Sequence, residues 1–474
     1  MTDLLSAFRS AGKPLYLVGG AVRDQLRGLA PKDLDYATAA TPPETKEILR
    51  KAGFPVIPLG EAFGTIATLV PGVPGEDGTA ERRQVEITTF RTAESYRKGS
   101  RKPKVVFGKS IELDLKRRDF TINAMALDDA GALIDPFGGR DHLAAKLLVT
   151  PSPAEEIFGD DPLRMLRAAR FIAQLGFQPA PEVQQAVSAR AGDILTVSRE
   201  RWKQELDKLL SGQAAGAALI FLASNRLLSF LLPELHAMLL LTGKPQGRYH
   251  SKDIWEHTLK VVEGAPARAP LRWAALLHDV AKPQTRTEDG GEVHFLQHAE
   301  LGAEMFDGIA DRLRFGREER KRVRFLIQAH LRPNLYQKTW SDSAVRRLAE
   351  DAGDYLEDLL ALSKADITSA NPNRVAQGLA NVTALGDRIE GLRRAEALTP
   401  KLPPGLGTLI HEQLGIPLGR EIGVLRDSLL EAIREGKLES GQPAEVYLAY
   451  LKAKASGADD VRQALAEDPV RTGS

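Results

Sequence analysis

Leu17-Val-Gly-Gly-Ala-Val-Arg-Asp24, followed by Lys32-Asp-Leu-Asp35, is the stretch on which the fold turns. Leu15 to Gly20 reads as a short buried strand ending in a glycine turn, and Ala21 to Leu29 as the helix leaving it. Asp33 to Ala37 reads as a second strand, so Asp33 and Asp35 present their carboxylates on one face. A lone Asp-x-Asp is most often a turn or a surface pair. Here Gly19 and Gly20 stand between strand and helix, where backbone N–H groups approach a triphosphate, and Arg23 reaches the same anion from the first turn. Paired carboxylates beside such a turn suit two Mg²⁺ ions working on a phosphoryl group.

Outward from this stretch, Gly64 to Val70 and Gln84 to Phe90 read as a β pair, with a Gly- and Pro-rich surface loop from Pro71 to Arg83. Beyond about residue 140 the apolar period becomes helical and stays so. Helices are expected at Pro162–Phe177, Arg199–Leu210, Ile254–Val262, Leu271–Val280 and Arg320–His330. The polar stretch from Ser456 is expected to fray. With 474 residues the chain has room for about three domains. Hydrophobic residues at 43% and charged residues at 27% are ordinary for a soluble globular protein. No apolar run approaches the roughly 20 residues of a membrane span, and the N-terminus has no secretory pattern. The chain has no cysteine, which leaves histidine and carboxylate as metal ligands. A cytoplasmic location is expected.

A net charge of +1 says little, because for nucleic acid the clustering matters. One basic run is Arg97, Lys98, Arg101, Lys102 and Lys104. Another is Arg164, Arg167 and Arg170, which fall within one arc of the Pro162–Phe177 helix. Met165, Leu166, Ala168, Ala169, Ile172 and Ala173 occupy the opposite side. Asp161 as N-cap and Pro162 at the first helical position fit an ordinary amphipathic helix. Three arginines with no lysine or glutamate on the polar face do not.

The ordered set of motifs resembles the tRNA nucleotidyltransferase/poly(A) polymerase family, in its bacterial-eukaryotic class, over roughly residues 14 to 210. Arg117-Arg-Asp-Phe-Thr-Ile-Asn-Ala-Met-Ala is similar to the family's sugar-reading motif and Asp135-Pro-Phe-Gly-Gly to its hinge. Asp160-Asp-Pro-Leu-Arg-Met-Leu-Arg is similar to its base-reading motif, and Ser198-Arg-Glu-Arg opens the segment that follows. The resemblance implies that Asp33 and Asp35 hold catalytic Mg²⁺, and that Gly19, Gly20, Arg23, Arg117, Arg118, Asp119 and Asn123 bind ribose and triphosphate. Asp161 and Arg164 would imitate the hydrogen-bonding edge of a base, with Arg167 and Arg170 supporting them or binding phosphate. Asp160 stands where the family usually has Glu, and the hinge continues as Arg140-Asp-His-Leu where the pattern commonly ends in Asp-Leu. Tyr96 to Pro103 matches a loop that helps switch from C to A, and its full length favours complete CCA addition.

Of nine histidines, most lie between His236 and His330. His257, His278-Asp279, His298 and His330, with Asp366 further on, make a constellation in apolar helices. Burial of so many polar groups is costly without a partner, and a metal is a natural one. Residues 248 to 370 resemble the HD phosphohydrolase superfamily. That implies His257, His278, Asp279 and Asp366 as ligands of a transition metal or Mg²⁺, and His298 and His330 as candidates for a second ion.

The expected fold is an α/β nucleotidyltransferase head followed by an elongated all-α body that includes an HD-type helical domain. The expected divisions are a head at 1–140, a helical neck with the base-reading helix at 141–240, an HD-type domain at 241–370 and a helical tail at 371–474. The implied reaction is addition of CMP and AMP from CTP and ATP to the 3′ end of tRNA, with phosphohydrolase activity in the HD domain. Partners are tRNA, CTP and ATP, with no membrane, and the oligomeric state is left open. Narrower CC-adding or A-adding enzymes share the head motifs. A poly(A) polymerase is disfavoured by the intact histidine set. A phosphohydrolase with a non-catalytic RNA-binding head would need Asp33 and Asp35 to be dispensable.

Overall fold

The computed structural model describes residues 2–31, 33–71, 82–96, 103–240, 253–289, 292–398 and 401–456. The basic stretch 97–102, and with it most of the loop read as a C-to-A switch, lies outside them. Its flanks, Arg91–Tyr96 and Pro103–Phe107, pair as an antiparallel hairpin.

The head is a six-stranded sheet in the order Thr65–Pro71, Arg82–Thr89, Leu34–Thr38, Tyr16–Val18, Ala126–Leu127, Leu133–Ile134. All neighbours are antiparallel except Leu34–Thr38 and Arg82–Thr89, which run parallel. Alternation explains which face is which. Leu34 and Tyr36 are buried with Leu15, Ile66, Val85 and Ile87, while Asp35 points the other way. Leu4, Phe8 and Leu49, from the helices Thr2–Ser10 and Pro42–Lys51, close the buried face. The strand begins at Leu34, so Asp33 lies one residue ahead of it, in a bend.

The hinge stretch makes a capped turn. Both Asp135 carboxylate oxygens accept backbone N–H groups, from Gly139 at 2.7 Å and Arg140 at 2.9 Å, at the start of the Gly139–Ala144 helix. Gly138 sits at φ 69°, and a Cβ on Gly139 would be driven into the Thr121 carbonyl oxygen and to 2.7 Å from Met125 Cγ. Backbone on one side cannot yield as a side chain can. Gly139→Ala is expected to cost about 1 to 3 kcal/mol of stability, as overpacking does, read as a lower urea midpoint at an unchanged slope.

Beyond the head the chain is almost entirely helical. The expected Pro162–Phe177 helix runs Leu163–Leu175 and ends at Gly176 in the left-handed region. On it Arg164 and Arg170 are buried as well as the apolar side. A short helix, Ala154–Asp160, precedes it, and Asp161 is the residue between the two. Arg199–Leu210 folds as expected, and Ala269–Leu277 stops just short of His278.

By compactness the chain forms two units, one of Met1–Lys338 with Glu350–Thr383 and one of Thr339–Ala349 with Ala384–Ser474. The second has its own core, in which Ile410, Leu429, Tyr447 and Leu448 from three helices meet. It takes residues 339–349 from within the segment expected to be HD-type. No described helix is long and apolar enough to cross a membrane.

Candidate active site and metal centre

One cleft of about 1130 Å³ opens between the head sheet and the Leu163–Leu175 helix, and it collects every head residue singled out from the sequence. Asp33, Asp35, Gly19, Gly20 and Arg23 line one side, and Arg117, Arg118, Asp119 and Asn123 another. Asp161, Arg164, Arg167 and Arg170 line a third. Glu86 joins them and was missed. It pairs with Asp35 in parallel register, so both carboxylates stand on the same face of the sheet. The alternation of Gln84-Val-Glu-Ile within its strand was the signal that could have found it. Burial in the cleft wall raises the Asp35 pKa, with Asp33 adding to the rise and Arg118 opposing it. Burial raises Glu86 as well, reinforced by Asp35 and Asp33. These three oxygen-donor side chains suit a hard cation such as Mg²⁺.

The arginines are held by buried carboxylates. Asp114, 1% exposed, accepts from Arg117 at 2.9 Å and Arg118 at 3.1 Å, and from the Arg91 backbone N–H at 3.0 Å. Its spacing of three and four residues from the two arginines was legible on a helix. Asp119 accepts from Asn123 at 3.0 Å and Arg167 at 2.7 Å, and Arg23 donates to Asn123 at 2.9 Å. A chain of polar bonds thus runs from the glycine turn to the neck helix. Gly19, at φ 72°, leaves only 2.9 Å between a would-be Cβ and Arg118 Nη1, so the turn and the arginine need each other's room.

Burial would raise the Asp114 carboxyl, yet Arg118 and Arg117 outweigh it and bring it down to about 2. A depressed folded value stabilises the head above the unfolded carboxylate value, 3.8, and that contribution is lost as pH falls through about 2. Asp114→Asn is therefore expected to lower stability at neutral pH and to flatten the loss between those two values. Urea midpoints across the acid range check this, and an unchanged acid limb would contradict it.

Asp161 and Arg164 are each held by two hydrogen bonds of their own. Asp161 accepts from the Leu163 backbone N–H at 3.1 Å and from Arg201 at 2.8 Å. Arg164 donates to the carbonyls of Ile157 at 3.2 Å and Arg117 at 2.8 Å. Arg170 pairs with Glu205 at 3.0 Å and lies 4.5 Å from the centre of the Phe171 ring. Burial, with Arg167 adjoining, brings the Arg170 pKa down to about 10. Arg201 and Glu205 come from the segment opened by Ser198-Arg-Glu-Arg, and only the fold shows what they hold.

The histidine constellation assembles from five helices. His257 lies in Ile254–Gly264, His298 opens His298–Leu313 and Asp366 closes Leu356–Asp366. His278 and Asp279 follow the end of Ala269–Leu277, rather than lying within a helix, and His330 follows Arg317–Ala329. His278, Asp279 and His330 are at most 1% exposed. Two triads result, His257–His278–Asp366 and Asp279–His298–His330, with ligand atoms of each within 4.8 Å of one another. Asp279 links them: Oδ2 is 3.1 Å from His278 Nε2, and Oδ1 is 3.4 Å from His298 Nε2.

The Nδ1 atoms explain the orientation. His278, His298 and His330 each bond through Nδ1 to a backbone carbonyl, at 2.9, 2.7 and 2.7 Å, so Nδ1 carries a proton and Nε2 is the atom turned inward. The Nε2 atoms of His298 and His330 face each other at 3.4 Å, an arrangement a cation reconciles and a hydrogen bond between two acceptors does not. Burial would push the His278 imidazole down, but Asp279 and Asp366 outweigh it and take it up to about 10. Burial, with charged His278 nearby, pushes His330 down to about 4. The cluster favours positive charge at its centre. Gln297, just before His298, holds φ 62°, a strained value for a residue with a side chain. Lys282, 2.6 Å from Asp279, and Asn334, which donates to Asp366 at 3.3 Å, complete the surroundings and were also missed.

The poly A polymerase head domain family matches residues 15–149, the probable RNA and SrmB-binding site of polymerase A matches 176–239, and the HD domain family matches 248–371. An A-adding tRNA nucleotidyltransferase of Deinococcus radiodurans is 32% identical, across 91% of this chain and 94% of its own. A CC-adding tRNA nucleotidyltransferase of Thermus thermophilus is 34% identical, across 94% of this chain and 97% of its own. The crystal structure of the Bacillus stearothermophilus CCA-adding enzyme in complex with CTP superposes with a TM-score of 0.55 at 28% identity, covering 96% of this chain and 97% of that one. By its motifs, its fold and its likeness to relatives along nearly their whole length, the chain belongs to the tRNA nucleotidyltransferase family, which shares its head domain with poly(A) polymerases.

Proposed function

We propose that this chain adds CMP and AMP, taken from CTP and ATP, to the 3′ hydroxyl of tRNA to build CCA, releasing pyrophosphate. The observation that carries the reading is the single cleft that joins Asp33, Asp35 and Glu86 to the arginine set and to the fixed pair Asp161–Arg164. Asp33, Asp35 and Glu86 would hold Mg²⁺, which would supply acidification of the attacking hydroxyl and charge neutralisation of the pyrophosphate. Arg23 and Arg118 orient the triphosphate, and Arg117 and Asn123 orient the ribose. Asp161 and Arg164, immobilised by their own hydrogen bonds, offer acceptors and donors against which a base edge is matched. Preorganisation of this kind is what template-free choice needs, because a mobile pair would accept any edge. The tRNA is held through backbone and shape, since an A-form acceptor stem is hard to read by sequence, and binding is salt-sensitive.

A narrower specificity is the second reading, favoured by two relatives that align along nearly the whole chain, one A-adding and one CC-adding. The test uses three tRNA transcripts, ending before CCA, after C and after CC, each with single nucleotides and Mg²⁺. Extension of all three to CCA supports the first reading. Arrest at CC, or extension of the CC-ended transcript alone, supports the second. Phosphate release with no extension refutes both.

The two linked triads support a metal-dependent phosphohydrolase site in the helical half. Their nitrogen and oxygen donors suit a transition metal, with Mg²⁺ as the alternative. A metal held by these residues would supply an activated water for attack on a phosphoester. Asp279 would serve both triads, Lys282 would hold Asp279 in place, and Asn334 would orient Asp366.

A further inference from the structure

The Arg199–Leu210 helix has two opposed working sides. Arg201 and Glu205, one turn apart, hold Asp161 and Arg170 of the base-reading wall at 2.8 and 3.0 Å. Lys203 and Asp207, each two residues further on, lie about 200° around the helix and face the HD-type half. Lys203 is 7% exposed. Its ammonium contacts both Asp207 oxygens, at 2.8 and 2.7 Å, and Glu319 of the Arg317–Ala329 helix at 2.8 Å. It also lies 4.1 Å from the centre of the Phe315 ring. Trp273, fully buried in the Ala269–Leu277 helix, donates to Asp207 at 2.7 Å. Arg272 of the same helix donates to the Leu210 carbonyl at 2.9 Å and to that of Gly212. Gly212 abuts the Ala173 backbone of the base-reading helix, 2.6 Å from where a Cβ would stand.

These bonds join two functions through one rigid element. Helices Ala269–Leu277 and Arg317–Ala329, which run directly into His278, Asp279 and His330 of the histidine cluster, grip one side of the strut. Its other side sets the two ion pairs that orient the base-reading wall. The Lys203 ammonium is buried, and removing one partner of a buried charge leaves it uncompensated, so Asp207 and Glu319 fix its position. A rotation of the strut by a few degrees moves Arg201 and Glu205 by a fraction of an ångström, the tolerance within which a recognition pair works.

We propose that Lys203, with Asp207, Trp273 and Glu319, is a positioning set through which the HD-type half determines the nucleotide selectivity of the head. The inference rests on the nucleotide-adding reading above. The set touches no nucleotide and acts through Arg201 and Glu205.

The test compares full-length wild type with Lys203→Met and with the milder Glu319→Gln, measuring kcat/KM for CTP, ATP, GTP and UTP on the three transcripts. In Lys203→Met the ratio of correct to incorrect nucleotide is expected to fall about tenfold, less than the effect of a full 1 Å misplacement in a site. Glu319→Gln, whose side chain is partly exposed, is expected to fold and to show a smaller fall of the same kind. Saturating kcat with the correct nucleotide should change less than either ratio. An equal loss for all four nucleotides in both variants, tracking a lower melting temperature, would mean a purely structural lysine and overturn the inference. So would unchanged selectivity in a variant that folds. If wild type itself adds no nucleotide, the function reading fails first, and that outcome is distinct from a variant that keeps its selectivity.

Discussion

Asp33→Ala with Asp35→Ala is expected to lower nucleotide addition by at least about a thousandfold, the equivalent of several kcal/mol of lost transition-state charge stabilisation. Folding should survive, because Asp33 and Asp35 lie on the cleft side and neither belongs to the buried face built by Leu34 and Tyr36. The useful comparison is Glu86→Gln. It removes a charge from the same sheet face while leaving the pair intact, and it should reduce kcat by a smaller factor with KM for the nucleotide little changed. Single-turnover extension of a CC-ended transcript at saturating nucleotide measures both. A double variant with near wild-type rates would sink the assignment of the cleft as the reaction site. Retained phosphate release from a phosphoester in the same variant would then point to the histidine cluster as the active half.

His278→Gln with Asp279→Asn is expected to weaken metal binding in the helical half by more than about 100-fold, since partners of the ligands alone are worth about 10 to 100. The double change removes one ligand from the first triad and the residue linking it to the second. Elemental analysis after dialysis against Mn²⁺, Ni²⁺ or Zn²⁺, with a chelator competition for affinity, reads the loss. Nucleotide addition should stay within a few-fold of wild type, because the grip on the Arg199–Leu210 helix comes from Arg272, Trp273 and Glu319 and not from the cluster. Undiminished metal content would mean that the two triads are a hydrogen-bonded polar core. Sharply reduced addition, with the fold intact, would instead tie metal occupancy to the head.

Much of the site was legible because its chemistry is local in sequence. Gly19-Gly20 with Arg23 lies within one strand-turn-helix unit, and Asp33 and Asp35 are neighbours across one residue. The spacing of Arg164, Arg167 and Arg170 is a helical period. What was misread concerns surroundings. The Leu163–Leu175 helix turns its three arginines to the cleft, as its period implies, but the sequence did not show that Arg164 and Arg170 are also buried, with Glu205 and two backbone carbonyls satisfying their charge and donors. His278 and Asp279 were expected inside a helix, and they sit past its end. There the released backbone leaves the Ala275 carbonyl in reach of His278 Nδ1. The alternation of its strand put Glu86 on one face, but only the pairing with Asp35 gives that face a role.

The sequence by itself determined the kinds of chemistry present: carboxylates beside a glycine turn, arginines on one helical period, and histidines in place of any thiolate. These are properties of residue type and near-neighbour spacing, which the backbone period converts into a shared face. The tertiary structure alone decided which distant polar groups pair. Asp119 meets Arg167 across 48 positions, Lys203 meets Glu319 across 116 and His257 meets Thr368 across 111. Such pairings depend on how helices pack, and packing answers to shape and burial summed over the whole core, which no local period encodes.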